Sequence, residues 1–415
     1  MTAKEFLHIH GQSAADVDVQ ASLDKFREQM RLGLNGSGGL PMIPTYLVDV
    51  NRSKIQTNSK RILIDAGGTN FRSAIGYFDE QGNVVIENVL KTKMPASDGR
   101  LSKTEFYDAI ASNVKRLLPK ARDIGFCFSY QVDMGADIDG KVVMFSKELD
   151  APEVVGTKVG SETLAACRKF SGTERKIVVL NDTVATLLGG MANTDEKFSA
   201  YLGYIYGTGT NVCYVEDTAS ITKVNNLPAG KMLVNTECGN FDGFVQGDFD
   251  RMTIARTAVP DKQLFEKMTS GKYLSDVMFE ALQVAEHEGI FHKKVRLEPF
   301  KLKDVTNFFA GGEFPCKFDS EADANFAREV CLGLIERAAK MGAIVNSALA
   351  MSSCTDKSLP VAIVCEGTTF HKLPYYRQFF EAYLNDFFAT WGGKYKILQG
   401  EDLNLVGTLM ATMVL

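Results

Sequence analysis

The sequence predicts an α/β fold of two lobes built on a repeated plan, and three observations carry that expectation. First, three strand-like apolar runs each end in a Gly/Thr loop: 62–64 before Asp65-Ala66-Gly67-Gly68-Thr69, 201–206 before Gly207-Thr208-Gly209-Thr210, and 361–364 before Glu366-Gly367-Thr368. Second, the first two loops run straight into another strand-like stretch and so lie at hairpin tips, whereas the third leads into a helix. Third, the order βββα followed by alternating strands and helices describes a sheet with helices packed on it, and its restart near residue 201 makes internal duplication of a βββαβαβα core the simplest reading. A length of 415 residues with 45% hydrophobic content allows about two to three domains with sizeable cores.

The elements follow in order. Residues 17–34 alternate apolar and charged positions at helical spacing and stop at the loop 35–39, Asn-Gly-Ser-Gly-Gly. An extended lead-in at 40–46 precedes the first hairpin, whose second strand is 73–78, and a third strand follows at 84–90. A helix is expected at 104–118, a strand at 123–128, a loop-rich stretch at 129–155 with a short strand at 141–145, and a helix at 161–170. The apolar strand 177–180 runs into Asn181-Asp182-Thr183 and a helix start at 184–188, which puts Asp182 at a strand's carboxyl end, where open α/β sheets bind ligands. In the second half, Cys331, Leu334, Ala338, Met341, Val345 and Ala348 fall on one face of a helix over 324–350, and a last helix is expected at 374–388. We expect 1–57 to form an N-terminal helix and lead-in on the larger lobe, 58–182 a smaller lobe completed by a helix at 407–415, and 183–406 the larger lobe, with an interdomain cleft.

The first loop has the chemistry of a phosphate grip. Gly67 and Gly68 supply the positive-φ freedom of a tight turn, and their amides, with the Thr69 hydroxyl, can approach phosphoryl oxygens closely. Asp65 is placed to hold Mg²⁺, directly or through water, and Arg72 adds a fork of donors. An ordinary Gly-Gly hairpin turn explains the same residues; the second and third loops favour the grip. Asp182, by the residues alone, reads equally as a helix N-cap.

Other chemistries are disfavoured. Gly207-x-Gly209 lacks a third glycine and precedes a strand, unlike a dinucleotide fingerprint, and the chain has no GxxxxGK[ST]. His287 and His292 stand five apart, off the common face a zincin needs. A net charge of −5 without a long basic run speaks against nucleic acid and membrane partners. Eight cysteines without CxxC spacing read as reduced thiols. With no apolar signal region at the first residues and an apolar run at 405–415 too short to span a bilayer, the expected location is cytoplasmic.

Taken together these stretches resemble the hexokinase family of the actin-like (ribonuclease H-like) ATPase superfamily, nearly end to end. IDAGGTNFR (64–72) resembles its first phosphate loop, IGFCFSY (124–130) with FSK (145–147) its sugar signature, and VVLNDTVATLL (178–188) its catalytic strand-to-helix turn. GTGTNVCYVE (207–216) resembles the second phosphate loop, NTECGNFDG (235–243) and LFEKMTSGKYL (264–274) the acidic sugar-binding segments, CEGTTFHKLP (365–374) the adenosine loop, and LPMIPTY (40–46) the lead-in.

The resemblance implies two actin-like domains and transfer of the γ-phosphoryl of MgATP to the 6-hydroxyl of a hexose, glucose above all, at the entry to glycolysis. It implies Asp182 as general base, with Lys147 and Arg72 supporting phosphoryl charge. Sugar contacts carry over to Ser129, Ser146, Lys147, Asn181, Asn211, Glu237 and Glu266. Nucleotide contacts carry over to Asp65, Gly67, Gly68, Thr69, Asn70, Arg72, Gly207, Thr208, Gly209, Gly271, Lys272, Gly367 and Thr368. Departures from the family pattern are Gln131 for a proline, Phe145-Ser146-Lys147-Glu148 for Trp-Thr-Lys-Gly, Cys238 for an aromatic residue, and 403–409 for a glycine-rich segment; they bear on sugar preference and on the adenine side. Monomer and homodimer stay open. Two rival readings are a non-catalytic sugar and ATP sensor on the same fold and a ROK-type kinase, whose cysteine-rich zinc motif is missing.

Overall fold

A computed structural model describes residues 1–68, 70–145, 149–292, 294–318 and 320–415. Its strands are β1 (Ile43–Val48), β2 (Arg61–Ala66), β3 (Asn70–Phe78), β4 (Val84–Lys93), β5 (Ile124–Phe128), β6 (Gln131–Met134), β7 (Gly140–Met144), β8 (Ile177–Leu180), β9 (Ala200–Tyr206), β10 (Thr210–Asp217), β11 (Lys231–Asn235), β12 (Val361–Glu366) and β13 (Tyr395–Leu398). They form a five-stranded sheet in the order β4-β3-β2-β5-β8, a six-stranded sheet in the order β1-β11-β10-β9-β12-β13, and the ribbon β6-β7. Without its edge strand β1, the larger sheet repeats the order of the smaller one, as the duplication read from the sequence requires. The stretch 129–155 carries more structure than expected, because the ribbon pairs Val132 with Val142 and buries both.

In the five-stranded sheet β2 is central, antiparallel to β3 and parallel to β5. Both faces of β2 are covered, so its sequence reads as a continuous apolar run rather than an alternation. Ile62, Ile64 and Ala66 enter a core with Phe71, Phe106, Ile110 and Phe126. Leu63 faces the other way, into a core with Cys127, Val178, Leu180, Leu187 and Leu409. Successive strand side chains alternate, so Asp65 shares the Leu63 face, at the carboxyl end of the strand.

That second core is roofed by two helices, Asp182–Ala192 and Leu403–Ala411, the latter starting four residues before the expected 407. Glycine lets them touch backbone to backbone: a Cβ on Gly407 would lie 1.7 Å from the Ala185 carbonyl oxygen, and one on Gly189 2.4 Å from that of Leu403.

By backbone contacts the chain divides into two compact units, one of 1–41, 204–212 and 236–396, the other of 42–203, 213–235 and 397–415. In the first, the helix Glu321–Ser353 extends the expected 324–350 at both ends; Ser320 caps it, accepting from the Asp323 amide at 3.0 Å. It packs on the helices Val19–Asn35 and Tyr376–Trp391, and its buried Arg337 pairs with buried Asp250 at 2.7 Å. Among the described residues no helix is long and apolar enough to cross a membrane.

Candidate active site

In the unit that holds β2, the first Gly/Thr loop joins β2 to β3. Asp65 pairs in register with Arg72, and the guanidinium donates twice to one carboxylate oxygen, from Nε at 2.8 Å and Nη2 at 2.6 Å to Asp65 Oδ2. Nη1 donates to Asp402 Oδ1 at 2.6 Å, so one arginine ties β2 to the residue just before the last helix. Burial works against the Arg72 charge, but the two aspartates outweigh it and its pKa is raised. Asp65 is only 5% exposed, and its Oδ1 is buried with no well-aligned hydrogen-bond donor among the described residues.

The loop itself is held by main-chain acceptors. Gly67 N–H donates to the Asn70 carbonyl at 2.9 Å, and the buried Tyr130 hydroxyl donates to the carbonyls of Gly67 at 2.9 Å and Gly68 at 3.2 Å. The sequence expectation for Gly67 needs correction. It is not in the left-handed region, and a Cβ there would stand in ordinary contact, 3.4 Å from the Asn70 carbonyl oxygen, so neither backbone conformation nor space demands glycine. Thr69, Ser146 and Lys147, three of the expected contacts, lie outside the described residues.

Asp182 opens its helix at the first helical position. The N-cap is Asn181, whose Oδ1 accepts from the Thr183 amide at 3.0 Å and hydroxyl at 2.7 Å. The capping alternative for Asp182 is thereby answered: its neighbour does that work. Ser129, at the end of β5, is half-buried and its amide donates to the Ala66 carbonyl at 3.1 Å. Cys127, opposite Asp65 on β2 and Leu180 on β8, is fully buried, and its pKa is raised first by burial and then by the charges of Asp65 and Asp182.

In the other unit, three glycine-bearing loops meet. Gly271 and Lys272 amides donate to the carbonyls of Gly207 at 2.9 Å and Thr208 at 3.1 Å, and the Thr369 hydroxyl donates to the Gly207 carbonyl at 3.0 Å. Glycine is required at two of these positions. Gly367 has φ 120°, and a Cβ there would lie 2.3 Å from the Tyr206 carbonyl oxygen; one on Gly271 would lie 2.3 Å from Thr369 Oγ1. Thr208, Lys272 and Thr368 stay exposed at the rim of this cluster.

Beside it stand the acidic residues. Glu266 Oε2 accepts from the Thr210 amide at 3.2 Å, and a Cβ on Gly209 would come within 2.5 Å of that oxygen. Asn211 donates to Glu237 Oε1 at 3.3 Å, while its own Oδ1 accepts from the amides of Val212 at 2.8 Å and Cys238 at 3.3 Å. Glu237 is a non-glycine residue with φ 52°, a conformation costing on the order of 1–3 kcal/mol that persists where surroundings enforce it, often at functional sites. The Asn240 amide and side chain hold its carbonyl at 3.1 and 3.2 Å. Each unit thus gathers the expected residues it contains, apart from those not described. Sequence reasoning missed Tyr130, Thr369 and Asp402; the first two stand inside quoted motifs, and nothing local marks the third.

Comparison with known proteins gives a consistent picture. Two family models match, both described as hexokinase, over residues 9–192 and 201–414. Hexokinase-2 of Oryza sativa subsp. japonica is 31% identical over 300 residues, covering 68% of this chain and 59% of the relative; the chain spans about three fifths of the length of such curated relatives. A hexokinase from Schistosoma mansoni, solved in complex with glucose, superposes with a TM-score of 0.83 at 20% identity over 100% of both chains. A ROK hexokinase from Thermus thermophilus gives 0.51 at 14% identity, over 85% of this chain and 97% of that one.

Proposed function

Because this chain belongs to the hexokinase family, we propose that it phosphorylates the 6-hydroxyl of a hexose, glucose foremost, with ATP as donor. The observation that carries the reading is the placement of two carboxylates with different duties at the carboxyl ends of parallel strands of one sheet: Asp65 on β2, clamped by Arg72, and Asp182 just after β8, relieved of capping by Asn181.

In the proposed reaction Asp182 accepts the proton of the 6-hydroxyl as that oxygen bonds to the γ-phosphorus, and the bond to the β–γ bridging oxygen breaks to release ADP. Phosphoryl transfer needs mainly positioning and charge stabilisation, which Arg72 and the Gly68 amide can supply. Mg²⁺, when bound, neutralises charge on the transferring phosphate. The donor set fits it through Asp65, whose Oδ1 is a buried acceptor lacking a donor, since Mg²⁺ is commonly held by one or two carboxylates plus waters and phosphates. Ser129, Asn181, Asn211, Glu237 and Glu266 are proposed to read sugar hydroxyls, a mode that discriminates strongly because a missing hydroxyl leaves a polar partner unpaired. Thr208, Lys272, Gly367 and Thr368 are proposed for the nucleotide. Eight cysteines without CxxC spacing support a reducing, cytoplasmic setting.

The test is a coupled assay of ADP formation over a panel of hexoses with wild type and Asp182→Ala. Sugar-dependent turnover that Asp182→Ala abolishes is expected; sugar binding by calorimetry with no ADP released would replace the kinase with a sensor.

A further inference from the structure

We infer that Thr236 is a positioning residue for Asn211 and Glu237, its buried hydroxyl tying the backbone of Glu237 to the strand that carries Asn211. The inference rests on the sugar-reading roles proposed above for these two residues.

The hydroxyl of Thr236, a residue with no exposure to solvent, works in two directions. As a donor it bonds the Val212 carbonyl of β10 at 2.6 Å, beside the Thr236 amide, which reaches the same oxygen at 3.1 Å. As an acceptor it receives the Cys238 amide at 3.2 Å. Asn211, the residue before Val212, offers Oδ1 to that same amide at 3.3 Å and Nδ2 to Glu237 Oε1 at 3.3 Å. The peptide unit between Glu237 and Cys238 is therefore gripped at both ends, its N–H by Thr236 and Asn211 and its C=O by Asn240.

That unit needs a grip because Glu237 sits at φ 52° and ψ 43°, where a side chain crowds its own backbone. Rotation back to negative φ would turn the peptide unit and swing the carboxylate away from Asn211. A bond to the Cys238 N–H opposes this rotation, and a hydroxyl anchored on Val212 places the resistance on the strand bearing the other sugar reader. Valine keeps the shape of threonine and loses the hydroxyl. It would leave the buried Cys238 amide to the Asn211 oxygen alone, and water cannot enter to take the vacant place without cost.

The experiment measures glucose binding by calorimetry and steady-state kinetics for Thr236→Val, Thr236→Ala and Thr236→Ser. Losing the hydroxyl should raise the Kd and KM for glucose about five- to tenfold, the scale of one hydrogen bond, with kcat and the KM for ATP within about twofold. Thr236→Ser, which keeps the hydroxyl, should stay within about twofold of wild type throughout. In a Glu237→Gln background Thr236→Val should add less than about twofold, because its effect passes through the Glu237 carboxylate. Unchanged glucose affinity in Thr236→Val, an equal loss in Thr236→Ser, an undiminished effect in the Glu237→Gln background, or failure of both hydroxyl-free variants to fold overturns the inference. Glucose bound by Glu237→Gln as tightly as by wild type would instead overturn the sugar-reading role of Glu237, and wild type that binds glucose without releasing ADP would overturn the proposed reaction while the calorimetry still decides Thr236.

Discussion

The helix that begins with Asp182 is pressed against the helix Leu403–Ala411 at Gly407, and Gly407→Ala tests whether that contact sets the position of Asp182, the proposed base. The added Cβ would lie 1.7 Å from the Ala185 carbonyl oxygen, 2.6 Å from its carbon and 2.8 Å from the Gly189 nitrogen. All three neighbours are backbone, so no side-chain rotation relieves the overlap and the helices must separate by about an ångström. Overpacking of this kind costs roughly 1–3 kcal/mol, here at the upper end because relief requires moving a whole helix. Against this stands a gain of about 1 kcal/mol in helix propensity on replacing glycine by alanine. The net loss is about 2 kcal/mol, a fall in Tm of about 4–8 °C for a unit in the 150–250-residue range. A shift of about 1 Å in a catalytic group is enough to lower rates by up to about 10²-fold, so kcat should fall about tenfold or more while hexose KM changes little. Differential scanning fluorimetry and initial rates below the transition check both. Gly189→Ala, whose Cβ would lie 2.4 Å from the Leu403 carbonyl oxygen, should act in the same direction, and the double variant less than additively because both strain one interface. A Gly407→Ala protein as stable and as active as wild type would refute the argument that this contact positions Asp182.

Four further outcomes are expected. Asp182→Ala should lower kcat by about 10²–10⁴-fold with an unchanged circular dichroism spectrum, the scale of losing a general base; turnover close to wild type would remove Asp182 from that role. Tyr130→Phe deletes the hydroxyl that donates to Gly67 and Gly68 carbonyls, about 1 kcal/mol, and should raise the KM for ATP by about fivefold; a change confined to the KM for hexose would contradict it. Asp402→Asn should have a small effect, under about 1 kcal/mol, since Asp402 is 46% exposed; a Tm loss above about 5 °C would show that Arg72 depends on it more than its exposure allows. Glu280 is buried at 4% exposure and its pKa is raised, first by burial and then with the Asp276 charge adding to it and Arg256 opposing. An acid with a raised folded pKa stabilises the fold below its unfolded pKa, near 4.3, and loses that contribution as pH rises through the folded value. Glu280→Gln should therefore gain in Tm relative to wild type between about pH 4 and pH 7; a constant difference across that range would disprove it.

The Gly/Thr loops and the place of Asp182 after a strand were legible because each is encoded within a dozen consecutive residues, where a strand's apolar run, a glycine and a hydroxyl residue announce one another. The repeated plan of the two sheets followed from the same signal occurring twice. What stayed hidden depends on distance or on backbone state. Asp402 reaches Arg72 across 330 positions, and nothing near either residue marks the pairing. Glycine was read as a source of turn freedom, which holds for Gly367, yet at Gly209 and Gly407 the demand is for space beside a carboxylate or a carbonyl. The left-handed backbone at Glu237 is unforeseeable because the residue type argues against it. Asn181 was read as a sugar contact and the capping role offered to Asp182, since both residue types suit either duty; only geometry assigned the cap.

The unit bearing Asp65 and Asp182 is closed by residues 397–415, which bring both Asp402 and the helix under Asp182. During synthesis its earlier strands must therefore wait, with Leu63, Leu180 and Leu187 uncovered, until residues 397–415 have left the ribosome. A stop codon anywhere upstream of 397 would remove the lining of an apolar core rather than a surface segment, and the truncated chain should be found with chaperones or in aggregates instead of persisting as a weakened fold.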